Sequence, residues 1–462
     1  MSKRSHSHDD QEQVKRLKSQ TDEENQRKGE SKGEGDSKSG GKSESKGESK
    51  AESDEDEKSP DDPSTLSDEQ KKALQAVLGG RNVFITGSAG TGKSFLIRLL
   101  VKRLRSVMGD EVAVTASTGN AAYNLRLGAR TPQSLFCFAE GAKNSPSPAW
   151  RKFKTLLIDE CSMIDRQVFE TMNTLAQQAR GSTKPFGGLQ LILVGDFLQL
   201  PPVAKTVVYM FETDLWQELC LTTIMLTTPF RQPDPKFSSI LNRIRVGAQS
   251  REDLQVLMSN KPAESKVEPT HLYTRNNSVS EQNLKKLHIL PGDTFNWAPS
   301  FTVEGRPPAD EVAKAKKEFP PLTLRIGAQV MLTVNMSFPD GLVNGARGVV
   351  LRVDGDCPVV LFTHGRAFAI NALKHVSVLT NGKLTAMYMP LILAWAMSIH
   401  KSQGQSLDSV SVSGKDAFAP GQVYVALSRA RGLHGLMATH LHDNIKTCPK
   451  ALEFYRRLAH SS

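Results

Sequence analysis

The segment GSAGTGKS at residues 87–94 constrains the fold more than any other part of the chain. It has the form G-x-x-x-x-G-K-[ST]. It stands between an apolar run, RNVFIT (81–86), and a run of helical character, SFLIRLLVKRLRSVM (94–108). Between a strand and a helix, such glycines let backbone N–H groups turn inward around phosphate oxygens. The lysine brings charge to the β- and γ-phosphates, and the Ser hydroxyl suits Mg2+. Gly87, Ser88, Ala89, Gly90, Thr91, Gly92, Lys93 and Ser94 are therefore expected to hold ATP, with Ser94 on the metal. Further apolar runs, EVAVTAS (111–117), TLLIDE (155–160) and LQLILVG (189–195), are separated by helical intervals. That pattern predicts an α/β fold with a parallel sheet covered on both faces, and ligands beyond the carboxyl ends of its strands.

Each of those strands ends in candidate chemistry. LLIDE at 156–160 offers Asp159 for Mg2+ and Glu160 to polarise the attacking water, a pairing that points to hydrolysis rather than storage of the nucleotide. GDFLQLPPV (195–203) puts Asp196 and Gln199 at the same sheet edge. PFRQ (229–232) and ALSRAR (426–431) each place an arginine in a polar break, Arg231 and Arg429, and either could reach a γ-phosphate from a second domain.

Composition narrows the partner. Residues 1–63 carry 13 Lys/Arg and 18 Asp/Glu and have no aromatic residue, so they cannot bury enough apolar surface to offset ordering and are expected to be a disordered tail. The remaining chain carries a net charge of +15, as suits a polyanionic partner such as nucleic acid. The five cysteines are odd in number, scattered and without a C-x-x-C, which argues against a disulfide framework and a zinc ribbon. The longest apolar stretches, such as PLILAWAM (390–397), are far shorter than the ~20 residues of a membrane span. Within the tail, KR at 3–4 and KRLK at 15–18 have the spacing of a bipartite nuclear signal. Asp9, Asp10 and Glu12 disfavour the alternative address, a mitochondrion. Between 322 and 389 the texture changes to β-rich pieces joined by Gly, Asp and Asn turns with no helical interval, which predicts a small antiparallel barrel inserted in a larger domain.

The ordered set GSAGTGKS, TASTGNAA (115–122), LLIDECSMID (156–165), KPFGGLQLILVGDFLQLPPV (184–203), FRQPDPKF (230–237), GLVNGARGVV (341–350), IHKSQGQSLD (399–408) and QVYVALSRAR (422–431) resembles the PIF family of superfamily 1 DNA helicases, relatives of bacterial RecD. The likeness runs over about residues 64–440. The stretch ETMNTLAQQARGSTKPFGG (170–188) looks like the segment that separates eukaryotic members from RecD.

The resemblance implies two RecA-like motor domains with ATP between them and an SH3-like insert. The expected boundaries are a first domain at 64–224, with a small insertion around 124–140, and a second at 225–462, interrupted by the SH3-like insert around 322–389. The expected catalytic set is Lys93, Glu160, Gln199, Arg231 and Arg429, and Gln70 is expected to read adenine. DNA is expected on Ser117, Thr118, Thr131, Ser134, His400, Lys401, Gln403, Val423, Tyr424 and Ser428. The implied activity is ATP-dependent 5′ to 3′ translocation on single-stranded DNA by a monomer that unwinds duplex, forked or structured DNA in repair, recombination and replication. Two alternatives stay open: a motor on RNA, and a DNA-bound remodeller of proteins that leaves duplexes intact. The chain departs from the family's T-x-H-S at TPQS (131–134), where Gln133 replaces a histidine and can hydrogen-bond but not charge.

Overall fold

The computed structural model describes residues 66–460, apart from 126, 139–145, 205, 233, 262–266, 335, 338–339, 343 and 380. The charged tail 1–63 and its basic clusters lie outside the described residues. Five short apolar strands, β1 (Val83–Gly87), β2 (Val112–Ala116), β3 (Thr155–Asp159), β4 (Gln190–Val194) and β5 (Thr222–Leu226), form an all-parallel sheet in the order β2-β3-β4-β1-β5. Their apolar runs are continuous because both faces are covered. Phe84, Leu156, Ile158, Leu191 and Leu193 pack on one side against the helix Arg166–Arg180. Val83, Ile85, Val114, Leu157 and Ile192 pack on the other against the helices Asp68–Leu78 and Lys93–Met108.

Local chemistry sets the helix limits. Ser67 and Gln70 close a capping box at the start of Asp68–Leu78. Asp165 accepts from the Val168 N–H at the start of Arg166–Arg180, and Gly181 ends that helix in the left-handed conformation. Arg180 then ties the segment down, donating to the carbonyls of Gly187, Trp150 and Phe153 at 2.8, 3.0 and 2.9 Å.

Among the described residues, fourteen more strands follow. They are β6 (Thr270–Tyr273), β7 (Phe295–Trp297), β8 (Ser300–Gly305), β9 (Leu322–Leu324), β10 (Gln329–Leu332), β11 (Arg347–Asp354), β12 (Cys357–Phe362), β13 (Ala367–Ala369), β14 (Leu373–Leu379), β15 (Gly382–Tyr388), β16 (Leu391–Leu393), β17 (Ala396–Ser398), β18 (Val410–Ser413) and β19 (Leu436–Thr439). A second parallel sheet runs β17-β6-β18-β19, and between its strands lies an antiparallel module with sheets β13-β12-β11-β10-β16, β14-β15-β8 and β7-β9. Buried Arg347 seats the module on the second sheet by donating to the Glu268 carbonyl at 2.9 Å and Thr270 Oγ1 at 3.1 Å. No helix among the described residues is long and apolar enough to cross a membrane.

Three boundaries differ from the sequence expectation. The first sheet keeps β5 through Leu226, which pairs with Gly87, so position 224 falls inside a strand rather than between domains. The β-rich module begins at β7 and β8, upstream of 322, because β15 recruits the mostly exposed, polar strand β8. The insertion expected at 124–140 contains the helix Pro132–Phe136, whose Phe136 stacks on Trp150 within the first core at 3.5 Å between ring centroids.

The last helix, Pro449–His460, also returns to the first sheet, although its sequence lies in the span expected for the second domain. An aromatic cluster draws it there: Phe454 stacks on Phe211 at 4.4 Å and meets Phe84, Phe197 and Trp216 edge-on or tilted. Tyr455 hydrogen-bonds the buried Thr86 hydroxyl at 2.6 Å and accepts from the Phe197 N–H at 3.2 Å. Tyr455→Phe strips these groups of their partner and is expected to lower the free energy of unfolding by ~1–3 kcal/mol. Denaturant titration checks this, and an unchanged midpoint would contradict it.

Candidate active site

β1 lies between β4 and β5, and β4 separates it from β3, so the loops after β1, β3 and β4 converge at one sheet edge. In the loop after β1, Gly90 (φ 85°) and Gly92 (φ 80°) take the left-handed conformation. Both are crowded: a Cβ at Gly90 would meet Gln232 Oε1 at 2.6 Å and Arg231 Cβ at 2.7 Å, and one at Gly92 would meet Gln70 Nε2 at 3.0 Å. Gln70 lies beside this loop, its Oε1 accepting from the Ser67 N–H at 3.1 Å while its Nε2 faces Gly92. Lys93 folds over the loop and donates to the carbonyls of Gly87 and Ser88 at 2.8 and 2.9 Å. Burial lowers its pKa against the opposing pull of Asp196 and Glu160. Ser94 stands exposed in the first turn of the helix. Sequence reasoning passed over Phe230, whose exposed ring also borders Gly92.

Asp159 closes β3, and its Oδ1 accepts from the Glu160 N–H at 2.8 Å. Burial and the neighbouring Glu160 charge raise the Asp159 pKa, so a cation beside this buried carboxylate would stabilise it. Glu160 sits at φ 50°, an unfavourable backbone conformation for a side-chain-bearing residue. Gln199 follows β4, is buried, and points its Nε2 to Asp196 Oδ2 at 3.4 Å.

The second parallel-sheet unit closes over these loops. The N–H groups of Phe230 and Arg231 donate to the Gly90 carbonyl at 2.8 and 3.2 Å. The Arg231 guanidinium is loosely held, by the carbonyls of Ser428 and Gly404, both at 3.4 Å. Arg429 differs: it is fully buried and bonds Val425 O (2.8 Å), Ser402 O (3.3 Å), Gln405 O (3.1 Å) and Ser428 Oγ (2.8 Å). Burial and nearby Arg231 push its pKa down to about 9. Arg231 thus makes two long contacts across to these carbonyls, while Arg429 stitches two loops of its own unit together. Buried Gln232 donates to the carbonyls of Ser428 and Ala430 at 3.2 and 3.1 Å.

Two further links cross the cleft. Arg245 grips Asp196 with two bonds, at 2.9 and 2.7 Å, and its guanidinium lies 5.1 Å from the Tyr455 ring centroid. Gly421 approaches so closely that a Cβ there would meet Gln199 O at 2.2 Å. Arg245 and Tyr455 carried no sequence signal, since each is a single polar group in an amphipathic helix.

The expected DNA residues divide. Ser117 and Thr118 sit at the end of β2, where Thr118 Oγ1 accepts from the Ala121 N–H at 3.1 Å and starts the next helix. Thr131 caps the helix Pro132–Phe136, and exposed Ser134 accepts from Arg130 at 3.2 and 3.0 Å. Gln133 is in the same short helix. His400 and Lys401 form a short helix after β17, with Lys401 exposed and the His400 pKa lowered by burial.

Four others are buried. Val423, Tyr424 and Ser428 are at most 6 % exposed and face the cleft interior or their own core. The Tyr424 hydroxyl accepts from the Ala89 N–H of the phosphate loop at 2.7 Å, and burial pushes its pKa up to about 12. Ser428 Oγ donates to Val425 O at 2.9 Å. Gln403 is buried and donates to Glu160 Oε2 at 2.9 Å.

Comparison with known proteins places the chain among helicases. The family description "PIF1-like helicase" matches residues 65–255, and "DNA helicase Pif1, 2B domain" matches 318–353. The human ATP-dependent DNA helicase PIF1 is 38 % identical over 426 residues, covering 86 % of this chain. The chain spans 65 % of the length of that curated relative. A crystal structure of the Candida albicans Pif1 helicase is 35 % identical, with TM-score 0.71, covering 85 % of this chain and 99 % of that one. A Bacteroides Pif1 helicase in complex with ADP-AlF3 and single-stranded DNA is 28 % identical, with TM-score 0.61, covering 86 % of this chain and 98 % of that one.

Proposed function

We propose that this chain, which belongs to the family of PIF1-like helicases, is an ATP-driven motor that moves 5′ to 3′ on single-stranded DNA and separates duplex or forked DNA in genome maintenance. One observation carries the reading: the loops after β1 and β3 are contacted from both parallel-sheet units. Lys93 and Glu160 come from the first, while Arg231 and Gln403 reach Gly90 and Glu160 from the second. A nucleotide held by both sides couples its hydrolysis to their relative motion, and contacts to a strand on each unit turn that motion into a step. The Bacteroides relative solved with both an ADP-AlF3 group and single-stranded DNA supports the same pairing of ligands.

The donors present suit Mg2+. Asp159 is a buried carboxylate with a raised pKa, and Ser94 adds a hard hydroxyl oxygen. Mg2+ held there would neutralise charge on the β- and γ-phosphates. Glu160 accepts the proton of the attacking water, Lys93 and Arg231 balance the charge that spreads over the transferred group, and Gln70 and Phe230 border the base. The strand lies along Ser117, Thr118, Thr131, Ser134, His400 and Lys401, with contacts mostly to phosphate and sugar. The motor acts as a monomer, and the basic clusters at 3–4 and 15–18 support a nuclear address.

Phosphate release with and without matched DNA and RNA oligonucleotides tests this reading. DNA is expected to stimulate hydrolysis more than RNA, and the reverse order would make the chain an RNA motor. Glu160→Gln is expected to slow turnover by roughly 10²–10⁴-fold while ATP and DNA still bind. Near-normal turnover would remove Glu160 as the base.

A further inference from the structure

We propose that Gln403 is a positioning residue for Glu160, through which DNA bound on the second unit sets the rate of ATP hydrolysis; this rests on the functional reading above. Gln403 lies in the turn that ends the short helix Ile399–Ser402, within three residues of His400 and Lys401. Its Nε2 crosses the cleft to Glu160 Oε2 at 2.9 Å. The same turn flanks the other carboxylate oxygen, since a Cβ at Gly404 would lie 3.9 Å from Glu160 Oε1. The base is therefore oriented by a loop that belongs to the opposite unit.

Two features make this contact a coupler rather than ordinary packing. The Gln403 Oε1 is buried without a hydrogen-bond partner, so nothing in its own unit holds the amide and its orientation depends on Glu160. The backbone of the loop is also bound to both arginines: Arg231 donates to Gly404 O at 3.4 Å, and Arg429 donates to Ser402 O and Gln405 O at 3.3 and 3.1 Å. A shift of a few tenths of an ångström in residues 399–405 therefore reaches the base and Arg231 together. Phosphates on His400 and Lys401 fix this loop, and the fixed loop turns the Glu160 carboxylate toward the attacking water.

Gln403→Met keeps the length and the apolar stem but removes the donor. ATP hydrolysis by the full chain is measured with and without an oligo-dT strand, together with the Kd for that strand. The stimulated kcat is expected to fall about 10–100-fold, toward the DNA-free rate. KM for ATP and Kd for the strand are expected to stay within about threefold, because binding is not what the amide supplies. Gln403→Asn, which keeps the amide but draws it back by one methylene, is expected to show the same loss and carries the test if the Met variant does not fold. Unchanged stimulation overturns the proposal. So does a lost affinity for oligo-dT, which would make Gln403 a DNA contact, or a DNA-free rate that rises to the stimulated one, which would make the bond a restraint. A wild-type chain whose hydrolysis DNA does not stimulate would instead overturn the functional reading.

Discussion

Lys93→Ala is expected to reduce DNA-stimulated ATP hydrolysis by at least about 10²–10³-fold, the effect of deleting one preorganised charge from the transition state. The ammonium rests on two loop carbonyls, at 2.8 and 2.9 Å, and so sits within the ring of N–H groups that would receive the phosphates. Burial makes the charged lysine costly and lowers its pKa, against the opposing pull of Asp196 and Glu160. A phosphate is a stronger partner than either carbonyl, so the lysine exchanges them when ATP arrives. Alanine removes charge at the β- and γ-phosphates and leaves the apolar strand and helix on either side untouched. The unfolding midpoint is therefore expected to change little while phosphate release collapses. Persistent stimulated turnover would mean that the phosphates are held elsewhere.

Arg245→Ala is expected to have the largest effect on stability, a loss of about 3–5 kcal/mol, because it strands a buried carboxylate. The Asp196 side chain is 0 % exposed and that of Arg245 14 %. Burial alone would raise the Asp196 pKa, but the guanidinium outweighs it and holds the carboxyl below its ordinary range. The folded value is thus depressed relative to the unfolded one. The pair's contribution is fully present above the ordinary carboxylate pKa of 3.8 and is lost as pH falls below it. Asp196 also accepts from the Leu198 N–H at 3.1 Å and from Tyr455 at 3.3 Å. Replacing both members with apolar groups is therefore expected to recover only part of the loss. Chemical denaturation of both singles and the double reads this as a coupling energy; strictly additive effects would contradict the paired arrangement.

Those two residues mark the limits of what the sequence makes legible. Lys93 is readable because a phosphate cradle needs glycines, lysine and hydroxyl at fixed offsets in one short loop, and Asp159 is readable because a strand end delivers it. The parallel sheets are equally plain, since strands covered on both faces become unbroken apolar runs. Arg245 is silent because its partner is 49 residues away and its helix shows only an amphipathic stripe. Distance hides more as it grows: Tyr455 meets Thr86 across 369 positions, which is why the last helix could not be assigned to the first core. Gln403 and Tyr424 were visible as motif residues but were given to DNA. Gln403 ends one short helix and Tyr424 lies inside another, and motif spacing does not say which way a side chain turns. β8 went unread because its residues are exposed, apart from the partly covered Phe301, and look like loop.

Strand separation tests the central claim most directly. The full chain, with ATP and Mg2+, is offered matched duplexes bearing either a 5′ or a 3′ single-stranded tail, with Lys93→Ala as the control. A shared site that converts hydrolysis into 5′ to 3′ steps predicts unwinding from the 5′ tail alone and none by the control. Unwinding from the 3′ tail, or intact duplexes while DNA-stimulated hydrolysis continues, would contradict it.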